Sequence, residues 1–350
     1  MSVRTRADLA GLPSYVPGRS IPGAIKLASN EVSAGPLPSV RQAIAEAAAG
    51  INRYPDNGVS ALTERLSHRF GAPSEQIVTG CGSVMLCQML IQATCEQGEG
   101  VLFGWRSFEA YPLLTKVVGA RTIPVALTAE HALDVEAMIA AVTPDTRVIF
   151  VCTPNNPTGT PLREEQLQRL VDSVDPRVLV VLDEAYREFV DDDTVPDGLE
   201  FAKRQWAAGR DNIAVLRTFS KAYGLAGLRV GYCVAPTPVA EALRKVSVPF
   251  TVNSVAQIAA IASLDAENEL KQRCAAVIVE RARVRGELLT AGYAVPETQA
   301  NFVWLPLGER TEEFTAHCLD AKIVVRAFAG DGVRVTIGEP EENDAFLAAA

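Results

Sequence analysis

Between residues 50 and 235, short apolar runs alternate with helical stretches, and this alternation leaves few folds open to the chain. The runs are apolar at nearly every position, which is typical of strands buried on both faces of a mostly parallel sheet. Helices between such strands predict a doubly wound α/β domain. The runs occupy residues 76–79, 100–103, 147–152, 178–182, 213–217 and 229–234.

The flanking regions predict an arm and a second domain. Residues 1–40 are rich in proline and glycine and read as an extended N-terminal arm, followed by a helix from about Ser39, its N-cap, to Ala49. We assign 41–240 to the large domain and 241–350 to a smaller α+β domain with which the arm packs. The smaller domain should contain a long helix at about 265–291, strands near 301–305, 323–326 and 333–337, and a final helix.

Polar residues follow several of the predicted strands at the point where each strand ends. They form the segments 80–83, 153–159, 183–186 and 218–221. Ligands of open α/β sheets bind beyond the carboxyl ends of the strands. We therefore expect an amine, a carboxylate, a phenol, an amide and a glycine-rich turn to share one pocket.

The glycine-rich turn Gly80-Cys81-Gly82-Ser83 leads into a helical stretch. Free backbone N–H groups at such a helix start can hold a phosphate, although a plain strand-to-helix turn remains an alternative. A dinucleotide-binding fingerprint fits less well, because Met85 stands where its third glycine belongs. The chain contains no GxxxxGK[ST] motif, which argues against a P-loop nucleotide hydrolase.

Lys221 is the candidate nucleophile. A lysine attacks a carbonyl only as the neutral amine, and its ordinary pKa of ~10.4 leaves almost none neutral at pH 7. Burial at a strand end beside cationic groups would lower that pKa, and Arg217 and Arg229 are candidate neighbours. A solvated surface lysine is the alternative, but the surrounding segment 217–232 shows no solvated face.

The segment 217–232 resembles the Schiff-base lysine motif of fold-type I aminotransferases, in the histidinol-phosphate aminotransferase-like group. Asn155-Asn156-Pro157-Thr158-Gly159 and Asp183-Glu184-Ala185-Tyr186 are further signatures of that group, and the resemblance runs from Tyr15 to the final helix. It implies a fold-type I transferase with a large doubly wound sheet, a smaller α+β domain and an arm. It also implies pyridoxal 5'-phosphate as cofactor and a homodimer with shared active sites.

The resemblance implies a role for each matching residue. Lys221 would form the Schiff base and shuttle the proton, and Asp183 would pair with the pyridinium nitrogen. Asn156 and Tyr186 would bind the phenolic oxygen of the ring, on which Phe108 would stack. The phosphate would be held by the group Ser83, Val84, Ser220, Arg229 and, from the partner subunit, Tyr54. Each role has a structural alternative. For Asp183 it is helix capping, for Phe108 and Tyr186 it is core packing, and for Tyr54 it is the anchoring of a loop.

For the substrate, the resemblance places Arg334 at the carboxylate-binding position, with Arg326, Tyr15 and Asn30 as further candidates. Segment 27–32 departs from the Leu-Asn-x-Asn-Glu-Asn-Pro of many histidinol-phosphate enzymes. The tracts 80–84, 103–111 and 248–252 look more like bacterial phenylalanine aminotransferases. The resemblance therefore favours an aromatic amino acid and 2-oxoglutarate as substrates, with histidinol phosphate as the alternative.

Composition argues against several other classes of protein. A net charge of −9 argues against a nucleic-acid binder, and no apolar run reaches the ~18 residues of a membrane span. Seven cysteines without CxxC spacing and three scattered histidines argue against disulfides and metal sites. With no signal peptide at the start, the sequence predicts a cytoplasmic protein. A decarboxylase on the same fold, the effector domain of a transcription regulator and an NAD-binding oxidoreductase remain competing hypotheses.

Overall fold

The computed structural model describes residues 3–6, Leu9, Leu12 and 21–350. Among these residues, the large sheet has seven strands, namely β2 (Ile77–Gly80), β3 (Gly100–Trp105), β4 (Arg121–Ala126), β5 (Thr146–Cys152), β6 (Leu179–Asp183), β7 (Ile213–Thr218) and β8 (Gly231–Val234). Their order across the sheet is β2-β8-β7-β6-β5-β3-β4. Only β8 runs antiparallel to its neighbours, so the sheet is mostly parallel, as predicted.

Helices cover both faces of the large sheet, which makes it doubly wound. One face packs against α3 (Gly82–Thr94), α4 (Ala110–Val118) and α8 (Thr237–Val246). The other packs against α2 (Ser60–Phe70), α5 (Val135–Ala140), α6 (Glu164–Ser173) and α7 (Gly198–Ala207). The apolar runs identified in the sequence fill both cores, since β3, β5, β6 and β7 contribute buried side chains to each.

Among the described residues, the small sheet consists of β1 (Ile25–Leu27), β9 (Phe302–Leu305), β10 (Ile323–Phe328) and β11 (Gly332–Thr336). Their order across the sheet is β1-β10-β11-β9. Strand β1 comes from the N-terminal segment and pairs in parallel with β10, so this part of the chain returns to the C-terminal sheet. Behind the sheet pack α10 (Glu267–Thr290), α11 (Thr311–Asp320) and α12 (Pro340–Ala349).

Three elements differ from what the sequence predicted. Helix α1 (Pro38–Ala47) has Leu37 rather than Ser39 as N-cap, because Pro38 takes the first helical position, where its fixed φ is already suitable. Strand β4 was not predicted from the sequence because it is a half-exposed edge strand that contains a proline. Helix α9 (Ser254–Asp265) lies beyond residue 240, yet it packs with α1 and α2 in the core of the large sheet.

The division of the chain at residues 40 and 240 stays a prediction. Among the described residues, no helix is both long enough and apolar enough to cross a bilayer. The cysteines of the described chain are all free thiols.

A buried ion-pair network braces the carboxyl ends of β6 and β7. Arg217 donates to Glu184 Oε2 from both Nε (3.0 Å) and Nη2 (2.8 Å), and it also reaches Asp197 at 2.8 Å. The side chains of Arg217 and Glu184 are only 6% and 2% exposed. Glu184 directly follows Asp183, and Arg217 directly precedes Thr218. The network therefore fixes the backbone at the ends of both strands, from which the polar residues project.

We therefore expect Glu184→Gln to lower the free energy of unfolding by about 3 kcal/mol, because it leaves the buried Arg217 charge poorly paired. The matched control is Glu164→Gln, which breaks a pair with Arg204 whose side chains are both about half exposed. That control should cost under ~1 kcal/mol. Denaturant unfolding of the unaltered protein and of the two variants measures both changes in the free energy of unfolding. Equal changes in the two variants would contradict a bracing role for the buried pair.

Candidate active site

A cavity of about 480 Å³ lies beyond the carboxyl ends of the large sheet's parallel strands, where the small sheet meets them. It brings together residues that are up to 306 positions apart in the sequence. The site residues predicted from the sequence that line it are Asn30, Ser83, Val84, Phe108, Asn156, Asp183, Tyr186, Ser220, Lys221, Arg229, Arg326 and Arg334.

The amine of Lys221 faces this cavity from the loop after β7. Its Nζ donates to the backbone oxygen of Ser29 at 3.0 Å and lies 6.0 Å from the centre of the Tyr186 ring. Burial, followed by the charge of Arg334, lowers the pKa of Lys221 to about 7, and Arg229 contributes in the same direction. A substantial fraction of the amine is therefore neutral near pH 7.

Arg217 is not the neighbour that the sequence suggested for Lys221. Side chains alternate along β7, so Arg217 points to the opposite face of the sheet and pairs with Glu184 there. The cationic neighbours that lower the lysine pKa are instead Arg334 and Arg229. The expectation of a cationic environment is confirmed, but one of its two suggested sources was wrong.

Asp183 ends β6 with its carboxylate in the cavity and only 3% of its surface exposed. Its Oδ2 accepts a hydrogen bond of 2.6 Å from the Tyr111 hydroxyl, whereas Oδ1 is buried and has no partner among the described residues. Burial raises the pKa of Asp183 to about 6, although the Tyr111 hydrogen bond opposes the shift. A buried carboxylate oxygen of this kind is suited to a protonated nitrogen supplied by a ligand.

An anion cradle forms where α3 begins. The helix starts at Gly82, whose φ of +76° favours glycine, and the described residues supply no side-chain cap for its first N–H groups. A Cβ on Gly82 would lie 2.3 Å from a guanidinium nitrogen of Arg229, so the backbone and this charge approach closely. Arg229 in turn donates to the Ser220 hydroxyl at 3.1 Å. Helix start, guanidinium and hydroxyl together can hold a phosphate.

Tyr186 and Asn156 lie on the small-sheet side of the cavity. The Asn30 amide donates to the Tyr186 hydroxyl at 2.9 Å, while its own oxygen accepts from Thr336 at 3.1 Å. Because an amide nitrogen can only donate, the Tyr186 hydroxyl must direct its own proton elsewhere. The side-chain oxygen of Asn156 accepts from Arg334, which leaves the Asn156 amide nitrogen to donate.

Two arginines from the small sheet complete the cavity. Arg334 is 6% exposed and donates to the Asn156 side-chain oxygen at 2.5 Å and to the Ala28 backbone oxygen at 2.6 Å. Arg326 pairs with Glu109 at 2.6 Å. Both guanidinium groups lie near the ring of Phe328, at 5.8 and 5.7 Å from its centre. A rigidly held guanidinium in such a place can bind a carboxylate with two parallel hydrogen bonds.

One predicted residue, Tyr54, does not line the cavity of this chain. The Tyr54 side chain is 84% exposed and stacks on Phe250, outside the residues that line the cavity as far as the structure describes them. Tyr15 lies outside the described residues.

The roles of Tyr111 and Glu109 were not predicted from the sequence. Both belong to the tract 103–111, which entered the sequence argument only through its resemblance. Tyr111 is the second residue of α4, and its ring contacts that of Phe108, which lies just before the helix, edge to face at 5.4 Å between centres. Its nearness to Phe108 in the sequence was the available signal, but nothing in the sequence relates Tyr111 to Asp183, 72 residues away.

Comparison with known proteins gives consistent matches along the whole chain. The model of the family "aminotransferase class I and II" matches residues 22–349. A protein of Rhodococcus jostii (strain RHA1) named aromatic amino acid aminotransferase is 58% identical over 100% of this chain and 96% of its own. A protein of Mycolicibacterium smegmatis with the same name is 56% identical over 99% of this chain and 94% of its own.

Among solved structures, the histidinol-phosphate aminotransferase of Sinorhizobium meliloti in complex with pyridoxal-5'-phosphate superimposes with a TM-score of 0.89. It is 26% identical in sequence, and the match covers 100% of this chain and 97% of that chain. A putative histidinol-phosphate aminotransferase of Erwinia carotovora gives a TM-score of 0.87 at 25% identity, over 95% of this chain and 97% of that chain.

The lowered pKa of Lys221 predicts when its amine reacts. Because only the neutral amine is nucleophilic, the rate of acetylation of Lys221 by trace acetic anhydride should rise with pH and level off above about pH 7. Mass spectrometry of the ligand-free protein, labelled across a pH series, measures this rate, with the same peptide in the unfolded chain as control. A folded-state midpoint near the ordinary ~10.4 would contradict the inferred environment.

Proposed function

This chain belongs to the aminotransferase class I and II family and is a pyridoxal-phosphate-dependent transaminase. On that premise we propose that it transfers the amino group of an aromatic amino acid to 2-oxoglutarate in a ping-pong reaction. The amino acid leaves as its 2-oxo acid, and 2-oxoglutarate then leaves as glutamate. The proposal is supported chiefly by the cavity that a partly neutral lysine amine, a half-satisfied buried carboxylate and three arginines share.

The residues of the cavity fit pyridoxal phosphate. Asp183 Oδ1, which is buried and unpartnered among the described residues, would hold the proton of the ring nitrogen. The N–H groups of Ser83 and Val84 at the start of α3 would bind the phosphate together with Ser220 and Arg229. When bound, the cofactor supplies an aldehyde that condenses with amines and a ring that accepts the electrons of a broken Cα–H bond.

Lys221 has two tasks in this scheme. Its neutral amine would be the group that binds the aldehyde of the cofactor, and the free amine would take the proton from the substrate's α-carbon. A pKa of about 7 suits both tasks, because the amine can accept and return a proton near neutral pH. The backbone oxygen of Ser29, at 3.0 Å, positions the amine over the cavity.

The remaining predicted residues orient the reacting groups. Tyr186 and Asn156 would donate to the phenolic oxygen of the ring, since their accepting atoms are engaged by Asn30 and Arg334 respectively. Asn30 was predicted as a substrate residue, but its contacts support the task of aiming the Tyr186 hydroxyl. Phe108 would pack on the face of the ring, and Tyr111 would hold Asp183 in place.

Arg334 would bind the α-carboxylate of the substrate. Hydrogen bonds to Ala28 and Asn156 fix its guanidinium, so little side-chain freedom is lost when a carboxylate arrives. Arg326 lies on the neighbouring strand and lines the same cavity. The role of Tyr15 in closing over the substrate stays a prediction.

Two observations support an aromatic substrate. The relatives named aromatic amino acid aminotransferase are 54–58% identical to this chain over nearly its whole length. The wall that α4 contributes to the cavity is apolar and consists of Ala110, Leu113 and Leu114. An apolar wall stabilises an aromatic side chain by removing its surface from water.

We further propose that the enzyme works as a homodimer in the cytoplasm. Tyr54 and Phe250 form an exposed aromatic pair beside the exposed Val248, a surface that association would bury. In the proposed dimer, Tyr54 would reach the phosphate held by the partner subunit. The free cysteines of the described chain agree with a reducing compartment.

The two substrate hypotheses differ in a direct assay. We expect phenylalanine with 2-oxoglutarate to be turned over with a kcat/KM at least about tenfold above that for histidinol phosphate, because the wall facing the side chain is apolar. Glutamate formation measures both reactions. A preference for histidinol phosphate, the substrate named for two similar structures, would contradict the proposal.

Arg334→Ala should raise the KM for phenylalanine, because it removes a charge-assisted pair worth roughly 1.5–3 kcal/mol, which is a factor of ten or more. Arg334→Lys keeps the charge but not the two parallel donors, and we expect an intermediate KM. Arg169→Ala, on the exposed surface of α6, is the matched control. An unchanged KM in Arg334→Ala would show that another residue binds the carboxylate.

A further inference from the structure

The mouth of the cavity contains a carboxylate that none of the proposed catalytic steps uses. Glu109 immediately precedes α4, and its Oε2 lies 2.6 Å from a guanidinium nitrogen of Arg326 on β10. Both side chains line the cavity, with 33% and 18% of their surfaces exposed. The ion pair therefore stands where the far end of a substrate would lie when its α-carboxylate is on Arg334.

The register of the small sheet explains why a carboxylate is needed at this point. Arg326 and Arg334 are directly opposite each other on the antiparallel strands β10 and β11, and both guanidinium groups lie near the Phe328 ring. Like charges at opposed positions destabilise a sheet. Glu109 compensates the charge of Arg326, so this ion pair adds little net charge to the outer part of the cavity, whereas Arg334, only 6% exposed, lies deeper.

Uncharged and anionic substrate side chains interact differently with this outer part of the cavity. An aromatic side chain brings no charge and can pack against Leu113 and Leu114 beside the ion pair. A substrate with a second negative charge must compete with Glu109 for the Arg326 guanidinium and is repelled by the Glu109 carboxylate. A repulsive group of this kind shifts relative affinities by weakening the binding of one class of ligand.

We infer that Glu109 is a specificity-determining residue that sets the balance between uncharged and anionic substrate side chains by holding Arg326. The inference rests on the proposed function, in which one cavity must accept both an aromatic amino acid and 2-oxoglutarate. Arg326 serves the dicarboxylate by sharing its donors between Glu109 and the distal carboxylate. Glu109 limits how tightly that second carboxylate, or a phosphate in its place, is bound.

The test measures dissociation constants of two unreactive analogues on the holoenzyme by calorimetry. Glutarate carries a carboxylate at each end, whereas 3-phenylpropionate carries one carboxylate and an aromatic ring. Glu109→Gln keeps the size of the side chain and removes its charge. We expect the ratio of the two constants to shift about fivefold toward glutarate, because the variant removes both the competition and the repulsion at a partly exposed pair. An unshifted ratio would overturn the inference.

Two further variants separate this effect from a loosened sheet. Asp331→Asn breaks the neighbouring pair between Asp331 and Arg106, which joins the same hairpin to the same segment, and it should leave the ratio unchanged. In an Arg326→Gln background, Glu109→Gln should shift the ratio less than it does beside Arg326, because only the direct repulsion between Glu109 and the second charge is then lost. A shift in Asp331→Asn, or an undiminished shift without Arg326, would show that Glu109 does not act through Arg326.

Failure of the inference can be told apart from failure of the proposed function. Phenylalanine turnover by the unaltered enzyme is measured in the same series. Its absence would refute the proposed function. If the unaltered enzyme turns over phenylalanine but the Glu109→Gln variant shows the same ratio of dissociation constants, only the role assigned to Glu109 is refuted.

Discussion

The chemistry proposed for this protein depends on keeping one amine away from water and close to positive charge. Lys221 lines the cavity together with Arg334 and Arg229, and burial is the larger of the two influences that bring its pKa to about 7. An ammonium ion in that place would lose hydration and face two guanidinium groups, so the neutral amine is favoured. The same arginines are the groups best suited to the carboxylate of the substrate and the phosphate of the cofactor. In the proposed function, one arrangement of charge would thus prepare the nucleophile and bind both anions.

The parallel sheet makes this arrangement possible because adjacent residues on a strand point to opposite faces. At the end of β6, Asp183 faces the cavity, while Glu184 faces the other way and pairs with Arg217 of β7. A structural ion pair therefore lies directly behind a functional carboxylate without neutralising it. If both carboxylate oxygens of Asp183 were paired within the chain, neither oxygen would be available to bind the ring nitrogen of the cofactor.

Much of the fold and of the cavity lining could be predicted from the sequence, because apolar runs and the polar residues that end them have fixed local meaning. The strands β2, β3, β5, β6 and β7 were located to within two residues, whereas β4 was missed, since its alternating exposure and Pro124 weaken the signal of a buried strand. Contacts between distant segments could not be predicted. Tyr111 with Asp183, Glu109 with Arg326 and the position of α9 all depend on packing, to which no local pattern corresponds.

All of the proposed chemistry requires that the cofactor be joined to the amine of Lys221. This linkage is tested by borohydride reduction of the holoenzyme followed by peptide mass spectrometry, with Lys221→Ala as the control. We expect the added mass of the reduced cofactor on Lys221 and its loss in the variant. If that mass lies on another lysine, or is undiminished in Lys221→Ala, the proposed role of Lys221 is wrong.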